Sequence, residues 1–328
     1  MEDDEMDVAI VGSGSMGTAL AQRISHNVPS VFLFARREEV VSSINTDRIN
    51  IDYFPSLRLN ENICGCLFND FYKVDPDIVI FAIPSGAVRG TVENYFSNLS
   101  GKVVISTAKG IEYPSLMTMT EIISKYSTCK TVLSFSGPNF ADEIAYGHIA
   151  GATVGISDPS LRAMVSSLFG GFVLDFSDDV TAVELCGILK NVYAIGTGMW
   201  DSVYSNYNEH YTFLNLCYKE MCNFLRVISR DENIFTKFCC FGDFALTANV
   251  DKSRNRTLGL MVGKNIIKTP YLESGITFEG SKSVKAIIEL ARQHSVEMPI
   301  ALFVYDTLNG NIDRAGTIHK IIRTNALD

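Results

Sequence analysis

Val8-Ala9-Ile10-Val11-Gly12-Ser13-Gly14-Ser15-Met16-Gly17-Thr18-Ala19-Leu20-Ala21 decides the fold. A short apolar run meets a Gly-x-Gly-x-x-Gly turn, and a stretch of small and apolar residues continues to Ile24. That order reads as strand, tight turn, helix. The first glycine permits the turn, the second lets backbone approach a pyrophosphate, and the third lets helix lie close against strand. The helix N-terminus adds unpaired N–H groups and a partial positive charge. In this setting Gly12, Gly14, Ser15, Met16 and Gly17 point to a bound dinucleotide.

Further buried strands are expected at Val31–Phe34, Asp77–Ala82, Val103–Ser106, Thr131–Ser134, Ala152–Ile156 and Phe172–Phe176. Continuous β-branched runs of this kind suit a parallel sheet covered on both faces. Helical patterns lie between several of them, for example Ser115–Tyr126. Strand–helix alternation gives an α/β fold with an N-terminal Rossmann-like, doubly wound parallel sheet. After about Asp178 the character changes. From Thr181 to Arg230 apolar residues recur at helical spacing in two long stretches, Gly242–Asn255 reads as a polar loop, and Ser281–His294 and Ile300–Asn309 are helical again. The expected organisation is a dinucleotide-binding domain over 1–178 and an all-α substrate and catalytic domain over 179–328. No flexible linker separates them, which suggests a shared cleft where ligand sites prefer to form.

The chain has 328 residues, enough for two cores, with 47% hydrophobic and 20% charged residues. A formal net charge of −9 does not attract nucleic acid or an anionic membrane. An anionic substrate therefore needs a local basic pocket. The eight cysteines show no CxxC pair and no zinc-type spacing, and the five histidines share no pattern, so no metal site is expected. They read as reduced, mostly buried thiols. The acidic start Glu2-Asp3-Asp4-Glu5 is the reverse of a signal peptide, and no apolar run reaches the ~20 residues of a membrane span. A cytoplasmic protein is expected.

Five segments carry candidate chemistry. The second strand ends in Arg36-Arg37, where NAD-specific sites usually place a carboxylate; arginine suits a 2′-phosphate, and two arginines solvated at a strand end are the alternative. Lys109 stands just past a strand's C-terminal end, the edge where open α/β sheets bind ligands. Lys190 lies inside an apolar helical stretch, where desolvation lowers a lysine's pKa and suits it to act as base or acid. A lysine snorkelling from the helix surface is the alternative. Asp243 follows Gly242, either to position Lys190 or as a turn residue. Ser253-Arg254-Asn255-Arg256 is a compact donor set able to cradle a phosphate, or else a solvated polar loop.

Taken in order, these pieces resemble the bacterial-type NAD(P)-dependent sn-glycerol-3-phosphate dehydrogenases nearly end to end. The resemblance is carried by Gly12–Ala21 (GSGSMGTALA), Ile78–Arg89 (IVIFAIPSGAVR), Ser106–Ile111 (STAKGI), Ser136–Glu143 (SGPNFADE), Val183–Val192 (VELCGILKNV), Gly242-Asp243, Ser253–Arg256 (SRNR) and Glu279-Gly280. It implies interconversion of dihydroxyacetone phosphate and glycerol 3-phosphate with NADP or NAD, supplying phospholipid synthesis. It implies that Lys190 accepts the C2 hydroxyl proton and that Lys109, Gly137, Asn139, Asp243, Ser253, Arg254 and Asn255 hold the substrate, Arg254 and Asn255 at its phosphate. It also implies cofactor contacts from Ser15, Met16, Arg36, Lys109, Ala141, Arg254, Thr277 and Glu279. A homodimer follows from the family and from base rates. Departures stand at Met16, where the family has an aromatic, at Asn139, where Ser or Thr is commoner, at Asp201–His210 in place of a glycine-rich stretch, and at Lys237–Phe241. The STAKGI and SRNR segments separate the chain from 2-hydroxyacid and ketopantoate-type reductases, and a non-catalytic dinucleotide sensor needs no Lys109, Lys190 and Asp243 set.

Two arginines at the end of the second strand predict that NADPH is accepted. Steady-state kinetics with both cofactors check this, and NADH used far more efficiently than NADPH would contradict it.

Overall fold

The computed structural model describes residues 6–267, 278–310 and 321. The chain divides into two compact units, one of residues 1–108 and 118–183, the other of 109–117 and 184–328.

The first unit is built on an eight-stranded sheet: β1 (Val8–Val11), β2 (Val31–Ala35), β3 (Ile63–Leu67), β4 (Ile78–Phe81), β5 (Val103–Ser106), β6 (Thr131–Ser136), β7 (Ala150–Gly155) and β8 (Phe172–Ser177), in the order β3-β2-β1-β4-β5-β6-β7-β8. Six helices accompany it: α1 (Ser15–Ile24), α2 (Glu38–Ser42), α3 (Ser85–Tyr95), α4 (Met119–Tyr126), α5 (Ala141–Ala145) and α6 (Arg162–Leu168). β1 pairs parallel with β2 through Ile10↔Leu33 and with β4 through Ile10↔Ile80. Strand order therefore reverses at β1, and its C-terminal edge is the switch point where such sheets bind ligands. All four residues of β1, β4 and β5 are buried, the mark of central parallel strands covered on both faces. Leu20 and Ile24 of α1 and Val165 and Leu168 of α6 share a core with Ile10, Leu33, Ile80 and Val154.

Three details differ from the sequence expectation. β3, Ile-Cys-Gly-Cys-Leu, is an edge strand whose glycine and thiols hide the β pattern; Asn45 holds it through Nδ2 to the Gly65 carbonyl (3.0 Å) and Oδ1 from its N–H (2.7 Å). β7 runs antiparallel to β6, because its connection holds only the five-residue α5 and turns the chain straight back. α4 begins at Met119 instead of Ser115. Thr118 and Glu121 form a reciprocal capping box there, with the Thr118 N–H donating to Glu121 Oε2 at 2.8 Å, and this fixes the start.

The second unit is helical: α7 (Val180–Asp201, which begins in the first unit), α8 (Tyr207–Ile228), α9 (Asp243–Asn249), α10 (Arg254–Gly263), α11 (Glu279–Gln293) and α12 (Pro299–Leu308). α7 is buried along its length, and its composition is accordingly largely apolar on every side. The expected loop over 242–255 is largely helical. Gly-Asp reads as a turn, but Asp243 sits in the first turn of α9, where a carboxylate favours the helix dipole, and Phe244, Thr247 and Ala248 give the helix a buried face. Ser253 then caps α10 by accepting the Arg256 N–H at 3.4 Å. None of the described helices is long and apolar enough to cross a membrane.

α7 and α10 cross at glycines. A Cβ on Gly198 would meet the Arg256 carbonyl oxygen and lie 2.8 Å from Leu260 N, and one on Gly259 would meet the Ile195 carbonyl oxygen. Gly198→Ala is therefore expected to cost ~1–3 kcal/mol through backbone displacement. Gly90→Ala, in open space on α3, is expected to gain ~0.4–1 kcal/mol from reduced unfolded-chain entropy. Urea denaturation midpoints check the pair, and equal midpoints would contradict the close crossing.

Candidate active site

At the end of β1 the chain turns through Gly12 with φ +112°, a conformation that L side chains rarely adopt. A Cβ there would also lie 2.7 Å from the Ala82 carbonyl oxygen, and one on Gly17 would meet the Gly12 carbonyl oxygen. Gly14 differs. A Cβ on it would meet nothing within 4 Å among the described residues, so the backbone beside it can be approached from outside. Gly14 is the N-cap of α1 and provides no side-chain cap. The first-turn N–H groups of Ser15, Met16 and Gly17 have no intrahelical acceptors. A dinucleotide pyrophosphate fits this set: open backbone, unpaired donors and the positive end of a helix dipole. Ser15 is exposed, and the half-buried Met16 packs into the core from the same turn.

The two arginines after β2 separate in role. Arg37 pairs with Asp52, whereas Arg36 is exposed and makes no ion pair among the described residues. Arg36 is the one available to a 2′-phosphate. On the segment after β6, Gly137 passes so close to the Gly151 carbonyl oxygen that a Cβ has no room. Asn139 donates through Nδ2 to that same carbonyl at 3.1 Å, and its Oδ1 is buried with no hydrogen-bond partner. An orphaned buried acceptor suits a ligand hydroxyl. Ala141 is the first residue of α5.

In the second unit Lys109, Lys190 and Asp243 converge. Asp243 is 1% exposed, its Oδ1 pairs with Lys190 Nζ, and its Oδ2 lies 3.9 Å from Lys109 Nζ. Two cations thus face one buried carboxylate. Burial lowers the Lys190 ammonium to about 8; Asp243 and Glu279 pull it up, while the Lys109 charge pushes it down. This is the perturbation expected of a general base or acid. Beside the pair, Asn255 Nδ2 donates to Asn191 Oδ1 at 2.9 Å, and Asn255 Oδ1 accepts the Gly280 N–H at 3.3 Å. One Asn255 N–H remains for a ligand. Arg254 is exposed in the first turn of α10 and makes no ion pair among the described residues. Ser253 is buried as the cap of that helix; its hydroxyl oxygen accepts a backbone N–H, which leaves its O–H proton to donate to a ligand. Thr277 lies outside the described residues.

Comparison with known proteins gives the family. The profile for the NAD-dependent glycerol-3-phosphate dehydrogenase N-terminus matches residues 7–162, and that for its C-terminus matches residues 179–319. The glycerol-3-phosphate dehydrogenase (NAD(P)+) of Methanothermobacter thermautotrophicus is 42% identical over 304 residues, covering 92% of this chain and 93% of its own. That of Halorhodospira halophila is 31% identical over 319 residues, covering 96% of each. The crystal structure of glycerol-3-phosphate dehydrogenase from Coxiella burnetii superposes with a TM-score of 0.83 over 97% of this chain and 99% of that one, at 24% identity, and so shares the fold.

The chain belongs to the NAD-dependent glycerol-3-phosphate dehydrogenase family.

Sequence reasoning missed some polar residues of this dehydrogenase's second unit. Asn191 is one; a polar residue after a lysine in an apolar helix was the available signal. Another set is the network Arg256–Asp201–His210–Asn249. Arg256 Nη1 reaches Asp201 Oδ2 at 2.6 Å and Nε reaches Asp251 at 3.0 Å, His210 Nδ1 lies 2.9 Å from Asp201, and its Nε2 lies 2.7 Å from Asn249 Oδ1. The stretch that departs from the family pattern, 201–210, is thus cross-linked at both ends to the α9–α10 segment. Arg256, read from sequence as part of the phosphate donor set, is spent on this network. Among the described residues no group of three or more His, Cys, Asp or Glu side chains is arranged to hold a metal ion.

Asp243 raises the Lys190 pKa against burial, so its removal must lower it. In Asp243→Asn the Lys190 midpoint is expected to fall from about 8 to roughly 6. The ¹³Cε resonance of Lys190 in lysine-labelled protein, followed against pH, reads this directly. A midpoint unchanged or raised would contradict the pairing.

Proposed function

We infer that this chain is an NAD(P)-linked oxidoreductase that interconverts dihydroxyacetone phosphate and sn-glycerol 3-phosphate. The observation that carries the reading is the buried Lys190–Asp243 pair with Lys109 beside it, in a chain of this family. Lys190 is the group that takes the C2 hydroxyl proton in the oxidative direction and returns it to the C2 oxygen in the reductive one. A base with a pKa near the working pH can do both. Asp243 holds Lys190 in place and stabilises its charged form. Lys109 offers a second cation to the substrate oxygens. Arg254 and the remaining N–H of Asn255, at the start of α10, would hold the phosphate, with the helix N-terminus behind them. Fixing that end of a three-carbon substrate restricts where its C2 can lie, which is the entropic part of such catalysis.

The nicotinamide, when bound, supplies or takes the hydride at C2. The turn through Gly12, Gly14 and Gly17 with Ser15 and Met16 would hold the pyrophosphate, Arg36 a 2′-phosphate, and Ala141, Glu279 and Thr277 further parts of the cofactor. Gly137 and Asn139 would meet the substrate through backbone and the orphaned Oδ1. In this reading residues 1–178 form the dinucleotide-binding domain and 179–328 the substrate and catalytic domain. The activity would work in the cytoplasm, as a homodimer, supplying glycerol phosphate for phospholipid synthesis.

Cofactor oxidation by the purified protein with dihydroxyacetone phosphate tests the reading. Lys190→Ala is expected to lower kcat by ~10²–10⁴, the usual contribution of a general acid–base group, with dinucleotide affinity kept. Turnover retained in that variant would remove Lys190 from its role. Dinucleotide binding by the wild type without any turnover would remove the substrate assignment.

A further inference from the structure

The active-site cation and its carboxylate sit on different helices, Lys190 on α7 and Asp243 on α9, so something must register the two. One face of α7 does so. Lys190, Tyr193 and Thr197 follow at i, i+3 and i+7, which places them along one side of a helix. They meet Asp243, Phe244 and Ala248 of α9 in the same order. Lys190 Nζ pairs with Asp243, the Tyr193 ring stands edge-on to Phe244 (centroids 6.3 Å apart, 88° between planes), and Thr197 Oγ1 reaches the Ala248 carbonyl at 3.4 Å. Phe244 also stacks with Tyr218 of α8 at 5.7 Å and 19°. The residue after Asp243 thus meets two aromatic rings.

Tyr193 is fully buried, so its hydroxyl needs a partner. It finds Glu220 Oε1 at 3.2 Å. Glu220, on α8, also accepts the N–H groups of Ile300 (2.8 Å) and Ala301 (2.9 Å) in the first turn of α12. That helix has Pro299 at its start and no side-chain cap of its own. Capping α12 accounts for Glu220 but not for the hydroxyl of Tyr193, since a phenylalanine would leave both backbone bonds intact. Burying a phenol and a carboxyl together is costly unless each is satisfied. The cost shows at Glu220, whose carboxyl burial pushes up to about 7 against the pull of its three donors. The extra hydrogen bond fixes how deep the ring sits, and the ring's edge sets where Phe244, and hence Asp243, stands against Lys190.

We propose that Tyr193, anchored through its hydroxyl by Glu220, is the positioning residue that holds Lys190 and Asp243 in their paired geometry. The proposal rests on the reading of Lys190 as the acid–base group. Tyr193 touches neither substrate nor cofactor in this account; it acts through the pair.

Tyr193→Phe, which removes one oxygen atom and keeps the ring, is the direct test, with Glu220→Gln as the second variant. Both are expected to lower kcat by ~10-fold with KM for dihydroxyacetone phosphate unchanged within about twofold, the pattern of lost alignment without lost binding. In protein without substrate, the Lys190 ¹³Cε titration is expected to move to lower pH in Tyr193→Phe, because a loosened Asp243 no longer supports the ammonium. Adding Tyr193→Phe to Asp243→Asn is then expected to leave the Lys190 midpoint where Asp243→Asn alone puts it. A lower melting temperature with kcat and the Lys190 midpoint both unchanged would make Tyr193 a core residue only and overturn the proposal. So would a shift that adds in full on top of Asp243→Asn. An inactive wild type would overturn the function reading instead, while the substrate-free titration still decides the positioning role.

Discussion

Removing an ammonium from water costs several kcal/mol, and a carboxylate close by returns part of that cost. Lys190 stands at this balance. Burial alone would drive its pKa far down, and the Asp243 charge alone would drive it up; together they leave it near 8, with Lys109 tipping the balance towards the neutral form. That value is where proton transfer in both directions is easiest at cellular pH. Three parts of the second unit bear on this balance. α7 is largely apolar and buried, so the one lysine in it is desolvated, α9 delivers a carboxylate that is 1% exposed, and the loop of residues 109–117 brings the second cation. That loop meets α11 where Lys285 Nζ sits 4.1 Å from the centre of the Tyr113 ring.

The first unit answers a different constraint, the need to present bare backbone to an anion. Three glycines achieve it in three ways: one by a positive φ, one by leaving its Cβ position open, one by letting α1 press against the turn. None depends on a charged side chain. This is how a chain with a net charge of −9 can hold a phosphate. In the proposed reading a 2′-phosphate would fall to Arg36, because Arg37 is already paired with Asp52.

Much of this was legible in the sequence because it rests on local rules. The glycine turn after Val8–Val11, the continuous apolar strands and the lysine inside an apolar helix are each visible in a window of about ten residues. What was not legible depends on distant partners. β3 is held by Asn45, twenty residues away in sequence, and its Cys-Gly-Cys core carries no strand signal of its own. The polar look of 242–255 concealed a helix because Gly242-Asp243 serves equally well as a turn and as a helix start. Arg256, read as one of the phosphate donors, is bound to Asp201 and Asp251, and Ser253 also caps α10 through its oxygen. Glu220 and Tyr193 look unremarkable in sequence, since a glutamate on an amphipathic helix is usually solvated. Only the packing of α12 over α8 shows otherwise.

In the proposed mechanism the buried Lys190, with a pKa near 8, is the acid–base group. The pH dependence of kcat/KM for oxidation of glycerol 3-phosphate tests it most directly. The rate is expected to rise with pH through a single limb near 8 as Lys190 loses its proton, separate from the phosphate ionisation near ~6. A profile flat across that region, or a limb only in the ordinary lysine range above ~10, would contradict it.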